Sequence, residues 1–352
     1  MIAKDLKILA ELSSGYGSSV DWVQAAGGNT SVKVKDRIYI KKSGIRLKEV
    51  NENEGYLELK LSRKNIEEVC TNSLVDIERN YKELIDSILV GRTTKPSIEL
   101  SFHTLGQKFT VHTHPTQVNI FGCSVEGSKM LETLFLHKEI LMVPYVKPGI
   151  VLTRNILILL KGRNTLPELT VLLNHGLVVT ADTPGLIHKY THDLMDLLAE
   201  IITPEPTVTA VSQDVPGFIQ AHFKEMMICG IEDENLEVHE KYNGLVLYPD
   251  MAVFCGRAVL VVGEIAPFET QLQNYTDTFG APPKVLLVKG KYYVLGRNNT
   301  ELEFITEVFC NHAKVLKNIL KKNWTPVFLT GKQIDELLDW DLEKYRQELL
   351  KK

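Results

Sequence analysis

Val111-His112-Thr113-His114-Pro115 ends an apolar, strand-like run. Side chains two residues apart on a strand point to one face, so His112 and His114 can converge on a single point. A third histidine, His175, stands where the apolar run ending in Leu172-Leu173 stops at an Asn174-His175-Gly176 turn. Three neutral imidazoles could hold a divalent metal and leave one position open to a substrate oxygen, the arrangement of a catalytic rather than a structural zinc site. The H-x-H spacing alone is a weak signal, because histidines that only hydrogen-bond at strand ends share it.

Two glycine-bearing segments have the composition of an anion site. Gly27-Gly28-Asn29-Thr30-Ser31 and Lys41-Lys42-Ser43-Gly44 offer backbone N–H groups freed by glycine and neutral side-chain donors. Asn29, Ser43, Gly44 and Ser97 fit that description, although glycine turns serve many loops with no ligand. Lys41 and Lys42 read equally as ligand contacts and as solvated strand-end charges. Glu99, in Lys95-Pro96-Ser97-Ile98-Glu99, reads from position alone as a glutamate at the start of a helix, where the macrodipole favours it. His103 follows four residues later; on a helix it would share a face with Glu99 and could orient the carboxylate, or pack against the sheet.

Taken in order, these segments resemble the class II aldolase/adducin family over residues from about 5 to 200. Gly27-Gly28-Asn29-Thr30-Ser31 is similar to its Gly-Asn-x-Ser loop and Lys41-Lys42-Ser43-Gly44 to its second phosphate loop. Lys95-Pro96-Ser97-Ile98-Glu99 matches the segment that carries the catalytic acid, and His112-x-His114-Pro115 with Asn174-His175-Gly176-Leu177 match the metal-ligand motifs. The resemblance implies His112, His114 and His175 as ligands of a divalent metal, usually Zn2+, and Glu99 as the catalytic acid/base. It implies Asn29, Ser43, Gly44 and Ser97 as substrate and phosphate contacts. The activity it implies is cleavage of a ketose 1-phosphate of the rhamnulose or fuculose type to dihydroxyacetone phosphate and an aldehyde, through a metal-stabilised enediolate. Relatives with the same metal site include sugar-phosphate epimerases, decarboxylases and dehydratases, and adducin-like members bind without catalysis. Glu99, where an aspartate would mark the epimerase, argues against that alternative, and the intact histidines argue against the non-catalytic one. Ile98 departs from the short aldolases, which place a second serine there, so one phosphate donor is missing.

The wording of these segments is closest to the aldolase part of bifunctional rhamnulose-1-phosphate aldolase/alcohol dehydrogenases. The acidic-aromatic run Asp335–Lys344 is similar to the helix that precedes their dehydrogenase module. No G-x-G-x-x-G follows a strand, so a nicotinamide-binding module is not expected in this sequence. By resemblance the protein is a homo-oligomer, a tetramer, with no one of the twelve tyrosines assignable to a shared site.

The elements that must position these residues follow from periodicity. Residues 1–202 alternate amphipathic helices with short strands such as RIYI, KFTVHTH and ELTVLLNHGLVVT. By resemblance this is a three-layer αβα domain of α/β class around a mixed, largely antiparallel sheet. Residues 203–217, rich in Pro, Thr and Val, read as a linker. Residues 218–352 read as a smaller α/β domain of unknown role, with strands at GLVLYP, MAVFCG, AVLVVG, KVLLVKG and KYYVLG and helices over 300–322 and 334–352. At about 150 residues per domain, the 352 residues agree with two domains. Forty basic against forty-four acidic side chains give a net charge of −4, which leaves no broad attraction for nucleic acid or an anionic membrane. The apolar runs fall short of the roughly 18 residues that a membrane span requires, and the N-terminus lacks a secretory pattern. Five cysteines without C-x-x-C spacing read as buried thiols, and the expected location is the cytoplasm. The remaining histidines, His137, His188, His192, His222, His239 and His312, stand in no ligand motif.

Overall fold

A computed structural model describes residues 2–71, 74–134, 140–206 and 208–340. The chain divides into two compact units, one comprising Met1–Gly122 and Glu126–Thr203, the other Cys123–Val125 and Pro204–Lys352. No helix among the described residues is long and apolar enough to cross a membrane.

The first unit is built on a seven-stranded sheet of β1 (Asn29–Val34), β2 (Arg37–Lys41), β3 (Tyr56–Leu59), β4 (Phe109–Thr113), β5 (Ile140–Val143), β6 (Leu169–Leu172) and β7 (Gly176–Ala181). Their spatial order is β3-β2-β1-β4-β7-β6-β5, antiparallel throughout except for the parallel pair β5–β6. Alternation along the strands sends Asn29, Ser31, His112 and Val178 to one face and Thr30, Val111 and Val179 to the other. On the first face, Val178 and Leu172 pack with Phe102, Leu105, Leu152 and Ile156. Ile38, Ile40, Leu57 and Leu59 form a core with the helices Arg63–Cys70, Leu74–Ile88 and Ile150–Leu160. On the second face, Ser13 of the helix Ile2–Gly17 hydrogen-bonds Thr30 at 2.6 Å, and Tyr16 stacks on His188 of the helix Pro184–Ala199. The unit is therefore a three-layer αβα arrangement around a mixed sheet, the fold class expected.

The second unit carries a five-stranded sheet of β8 (Ala210–Ser212), β9 (Met227–Glu232), β10 (Leu260–Val262), β11 (Val285–Val288) and β12 (Lys291–Gly296), in the order β10-β11-β12-β9-β8. The helices Phe268–Phe279 and Asn299–Lys321 complete it. Three expectations are corrected here. The segment read as a linker contains β8, which pairs with β9 through Ala210–Glu232 and Ser212–Gly230. MAVFCG is not a strand but a wide helical turn, Met251–Cys255, with all five residues buried. GLVLYP is not a strand either: Leu247 N–H donates to His312 Nε2, and Val246 accepts from Leu329 N–H. Short apolar runs without periodicity fit a buried turn as well as a buried strand, which is why the sequence misleads at both places. The C-terminal helix is seen over Gly331–Leu338; its expected continuation over 341–352, and His137, lie outside the described residues.

Candidate metal centre and active site

β4 delivers the first two histidines from between β1 and β7, with His112 opposite Asn29 on one side and Val178 on the other. The Nδ1–H of His112 donates to the Leu177 carbonyl at 2.9 Å, which commits the Nδ1 side of the ring and turns Nε2 toward His114 and Glu99. His114 follows directly after β4, its N–H donating to the Trp22 carbonyl at 2.9 Å. His175 occupies the three-residue turn between β6 and β7. Asn174 before it has a left-handed φ of 54°, which asparagine tolerates better than most residues, and its N–H is tied to the Gly122 carbonyl. Gly176 after it must be small, because a Cβ there would collide with the Thr113 carbonyl and lie 3.0 Å from His114 Cδ2.

The three imidazoles are buried, with ring centroids 4.8, 5.0 and 5.3 Å apart. One nitrogen of each lies within 4.8 Å of the others, and His112 Nε2 is 3.0 Å from His114 Nε2. Glu99 closes the cluster. It follows a tight turn in which Leu100 N–H donates to Ser97 O at 3.1 Å and Glu99 N–H to Ser97 Oγ at 3.3 Å. Its Oε2 lies 3.2 Å from His112 Nε2 and accepts from Asn29 Nδ2 at 2.9 Å. Its Oε1 lies 3.2 Å from His175 Nε2 but makes no aligned hydrogen bond. Burial pushes the Glu99 carboxyl up, yet the flanking His112 and His175 imidazoles outweigh it and hold the group well below the usual carboxylate range. Burial lowers His175, against the pull of Glu99.

Electron-pair donors gathered this closely in a dry place are costly unless a cation lies between them. Buried neutral imidazoles suit the divalent transition metals, so the donor set fits such an ion.

The anion loops are stitched side by side. Lys42 bridges Pro96, Ser43 N–H donates to Lys95 O and Ser97 N–H to Lys41 O, both at 2.9 Å. This brings Ser43 and Gly44 beside Ser97, two residues from Glu99. Lys41 is not a solvated strand-end charge: it is 2% exposed and donates to the Ala26 carbonyl at 2.9 Å, propping the Gly27-Gly28 turn. Asn29, expected at the anion, has both ends of its amide engaged, Nδ2 by Glu99 and Oδ1 by His103. His103 does not reach Glu99 directly, because Glu99 is not yet helical at φ −99° and ψ 9°. Sequence reasoning missed the participation of Ser31, whose hydroxyl lies 2.8 Å from His103 Nδ1. Its place two residues after Asn29 on a strand was the available signal.

Residues 10–199, more than half of the chain, match the pattern of the Class II Aldolase and Adducin N-terminal domain. The chain belongs to the class II aldolase and adducin family. Its relationship to an "uncharacterized oxidoreductase", YuxG of Bacillus subtilis (strain 168), is 26% identity over 202 residues, 54% of this chain and 28% of the relative. The match thus spans less than a third of that longer protein. Among solved structures, the N-terminal class II aldolase domain of a conserved Thermoplasma acidophilum protein is similar at 21% identity and a TM-score of 0.46, covering 55% of this chain and 92% of that one. The L-fuculose-1-phosphate aldolase of Thermus thermophilus is similar at 17% identity and a TM-score of 0.36, covering 57% and 92%. In class II aldolase/adducin terms, the motif histidines and the motif glutamate come together here at one buried point.

Proposed function

We propose that this family member is a divalent-metal-dependent aldolase, a carbon–carbon lyase acting on a ketose 1-phosphate of the rhamnulose or fuculose type, with Zn2+ as its metal. The observation that carries the proposal is the buried Glu99 between His112 and His175, with one oxygen held by Asn29 and the other unbonded. A divalent ion held by His112, His114 and His175 supplies a Lewis acid for negative charge developing on adjacent substrate oxygens. In the condensation direction Glu99 takes a proton from the hydroxymethyl carbon of dihydroxyacetone phosphate, and in cleavage it returns that proton to C3. Cleavage breaks C3–C4 and leaves the bonding pair on C3; the C4 hydroxyl proton passes to the Glu99 carboxylate as the aldehyde forms, and Glu99 then delivers a proton to C3, so that no net proton is gained or lost. Asn29 holds Glu99 Oε2, so the exchanging oxygen is Oε1. The Ser43 and Ser97 hydroxyls and the Gly44 N–H receive the phosphate, with Ile98 contributing no polar contact.

The test is release of dihydroxyacetone phosphate from rhamnulose and fuculose 1-phosphates by the Zn2+-loaded protein, coupled to NADH oxidation by glycerol-3-phosphate dehydrogenase. Activity lost on chelation and restored by Zn2+ supports the reading. A fully metal-loaded protein that releases nothing from these substrates, but epimerises, dehydrates or decarboxylates a related sugar, overturns it in favour of another reaction at the same centre.

A further inference from the structure

We propose that His103 is a positioning residue for Glu99, acting through Asn29 and fixed in its tautomer by Ser31; the proposal rests on the proton-transfer role assigned to Glu99. The directions of the hydrogen bonds are forced from one end. Asn29 Nδ2 donates to Glu99 Oε2 at 2.9 Å, so the NH2 end of the amide faces the carboxyl group. The amide oxygen then faces His103, whose Nε2 must carry the proton to donate to it. Nδ1 is therefore the bare nitrogen, and the Ser31 hydroxyl donates to it at 2.8 Å. Every donor in the chain Ser31–His103–Asn29 points toward Glu99.

The surroundings hold the ring rigidly. His103 is fully buried and stacks on Phe102 with centroids 4.8 Å apart. Lys33 Nζ donates to the Thr104 carbonyl at 2.6 Å and to that of Gly106, clamping the backbone just after the ring, while Ser101 hydrogen-bonds Thr153 at 2.6 Å. Burial, aided by nearby His112, pushes His103 down to about 3, so it stays neutral and keeps one tautomer. An amide cannot pass a proton along such a chain. The chain therefore orients the carboxylate and does not refill it, which leaves proton exchange to Oε1.

The experiment compares His103→Phe, which keeps a ring of similar size without polar atoms, with His103→Gln, whose amide N–H can still reach Asn29. Both are prepared beside Asn29→Ala and the Asn29→Ala/His103→Phe pair. The expected result is one metal per chain in every variant, with kcat lowered about 10- to 100-fold and KM little changed in His103→Phe. His103→Gln recovers most of kcat. The double variant is no slower than Asn29→Ala alone, since His103 acts through that amide. Losses that multiply in the double variant, or a kcat unchanged in folded His103→Phe, overturn the proposal. Should the unaltered protein not turn over any ketose phosphate, the aldolase reading fails by itself. The His103 proposal is then decided on the Co2+-substituted proteins by their visible d–d absorption. A band altered by His103→Phe and restored by His103→Gln supports it, and identical bands overturn it.

Discussion

At the scale of single residues, the centre depends on groups that have little freedom to do anything else. His112 has its Nδ1 proton committed to Leu177 and can offer only Nε2 inward. His175→Ala should therefore remove a ligand for which no replacement is prepared, with metal content by mass spectrometry falling from near one per chain to a small fraction. Retention of full metal by that variant would reject the three-histidine centre. Glu99→Gln keeps the shape of the side chain while removing the carboxylate proposed as the base. It should bind metal and lower turnover by about 100-fold or more, the upper part of the range general acid–base groups contribute. A drop in metal content equal to the drop in turnover would instead make Glu99 chiefly a ligand.

At the scale of elements, the β6–β7 turn and the end of β4 approach so closely that backbone meets ring at Gly176. Gly176→Ala must push the Thr113 carbonyl away and move His114 with it. The expected cost is about 1–3 kcal/mol of stability by urea unfolding, typical of overpacking, together with weaker metal binding. A variant as stable as the parent, with unchanged metal affinity, would show that the turn has slack. In the second unit, His239 of the helix Val238–Lys241 lies flat on Phe309 with centroids 4.0 Å apart and stacks on His312. Burial, opposed only by the Nε2–H bond to the Phe309 carbonyl, pushes it down to about 4. Its folded value thus lies below its unfolded value of about 6.5, so the unfolded chain takes up the proton first on acidification. Stability from this site is full above about pH 6.5 and is lost as pH falls toward 4, by about 3 kcal/mol. Urea midpoints measured between pH 7.5 and 4.5 should fall steeply, and less steeply in His239→Gln. Equal slopes would exclude the site as a source of acid sensitivity.

At the scale of the whole molecule, each unit has its own core: Phe102, Ile156 and Val178 belong to one, and Leu286, Tyr293 and Leu295 to the other. His112, His114 and His175 all lie in the first unit. An ion bound only by folded protein stabilises in proportion to RT ln(1 + [L]/Kd). Calorimetry with and without Zn2+ should therefore resolve a transition that rises with metal and one that does not. A single transition moving as one would show that the units unfold together. We also propose a homo-oligomer, on the strength of the family resemblance, and a cytoplasmic location. Light scattering should return four times the chain mass, and a monomer would reject the assembly.

The convergence of His112, His114 and His175 was largely legible in the sequence because its information is local. H-x-H on a strand fixes a common face by pleat alone, and Asn-His-Gly announces the turn that carries His175. The strands RIYI and KFTVHTH show themselves by composition and position, and the long helix Asn299–Lys321 by its period. The strands expected at GLVLYP and MAVFCG were not legible, since an apolar run without a period states burial and not conformation; what decides it is whether a sheet edge or His312 takes the free backbone N–H. Nor could sequence decide what Asn29 does. A motif names the residue, but an amide has two ends, and the nearest partners in three dimensions, Glu99 seventy positions away and His103 seventy-four, determine how both are used. The sequence by itself determined which side chains are chemically able to act. Only the tertiary structure decided which of their atoms are already spent, because hydrogen-bond allocation depends on neighbours that the chain brings together from β1, β4, the β6–β7 turn and the turn before Leu100.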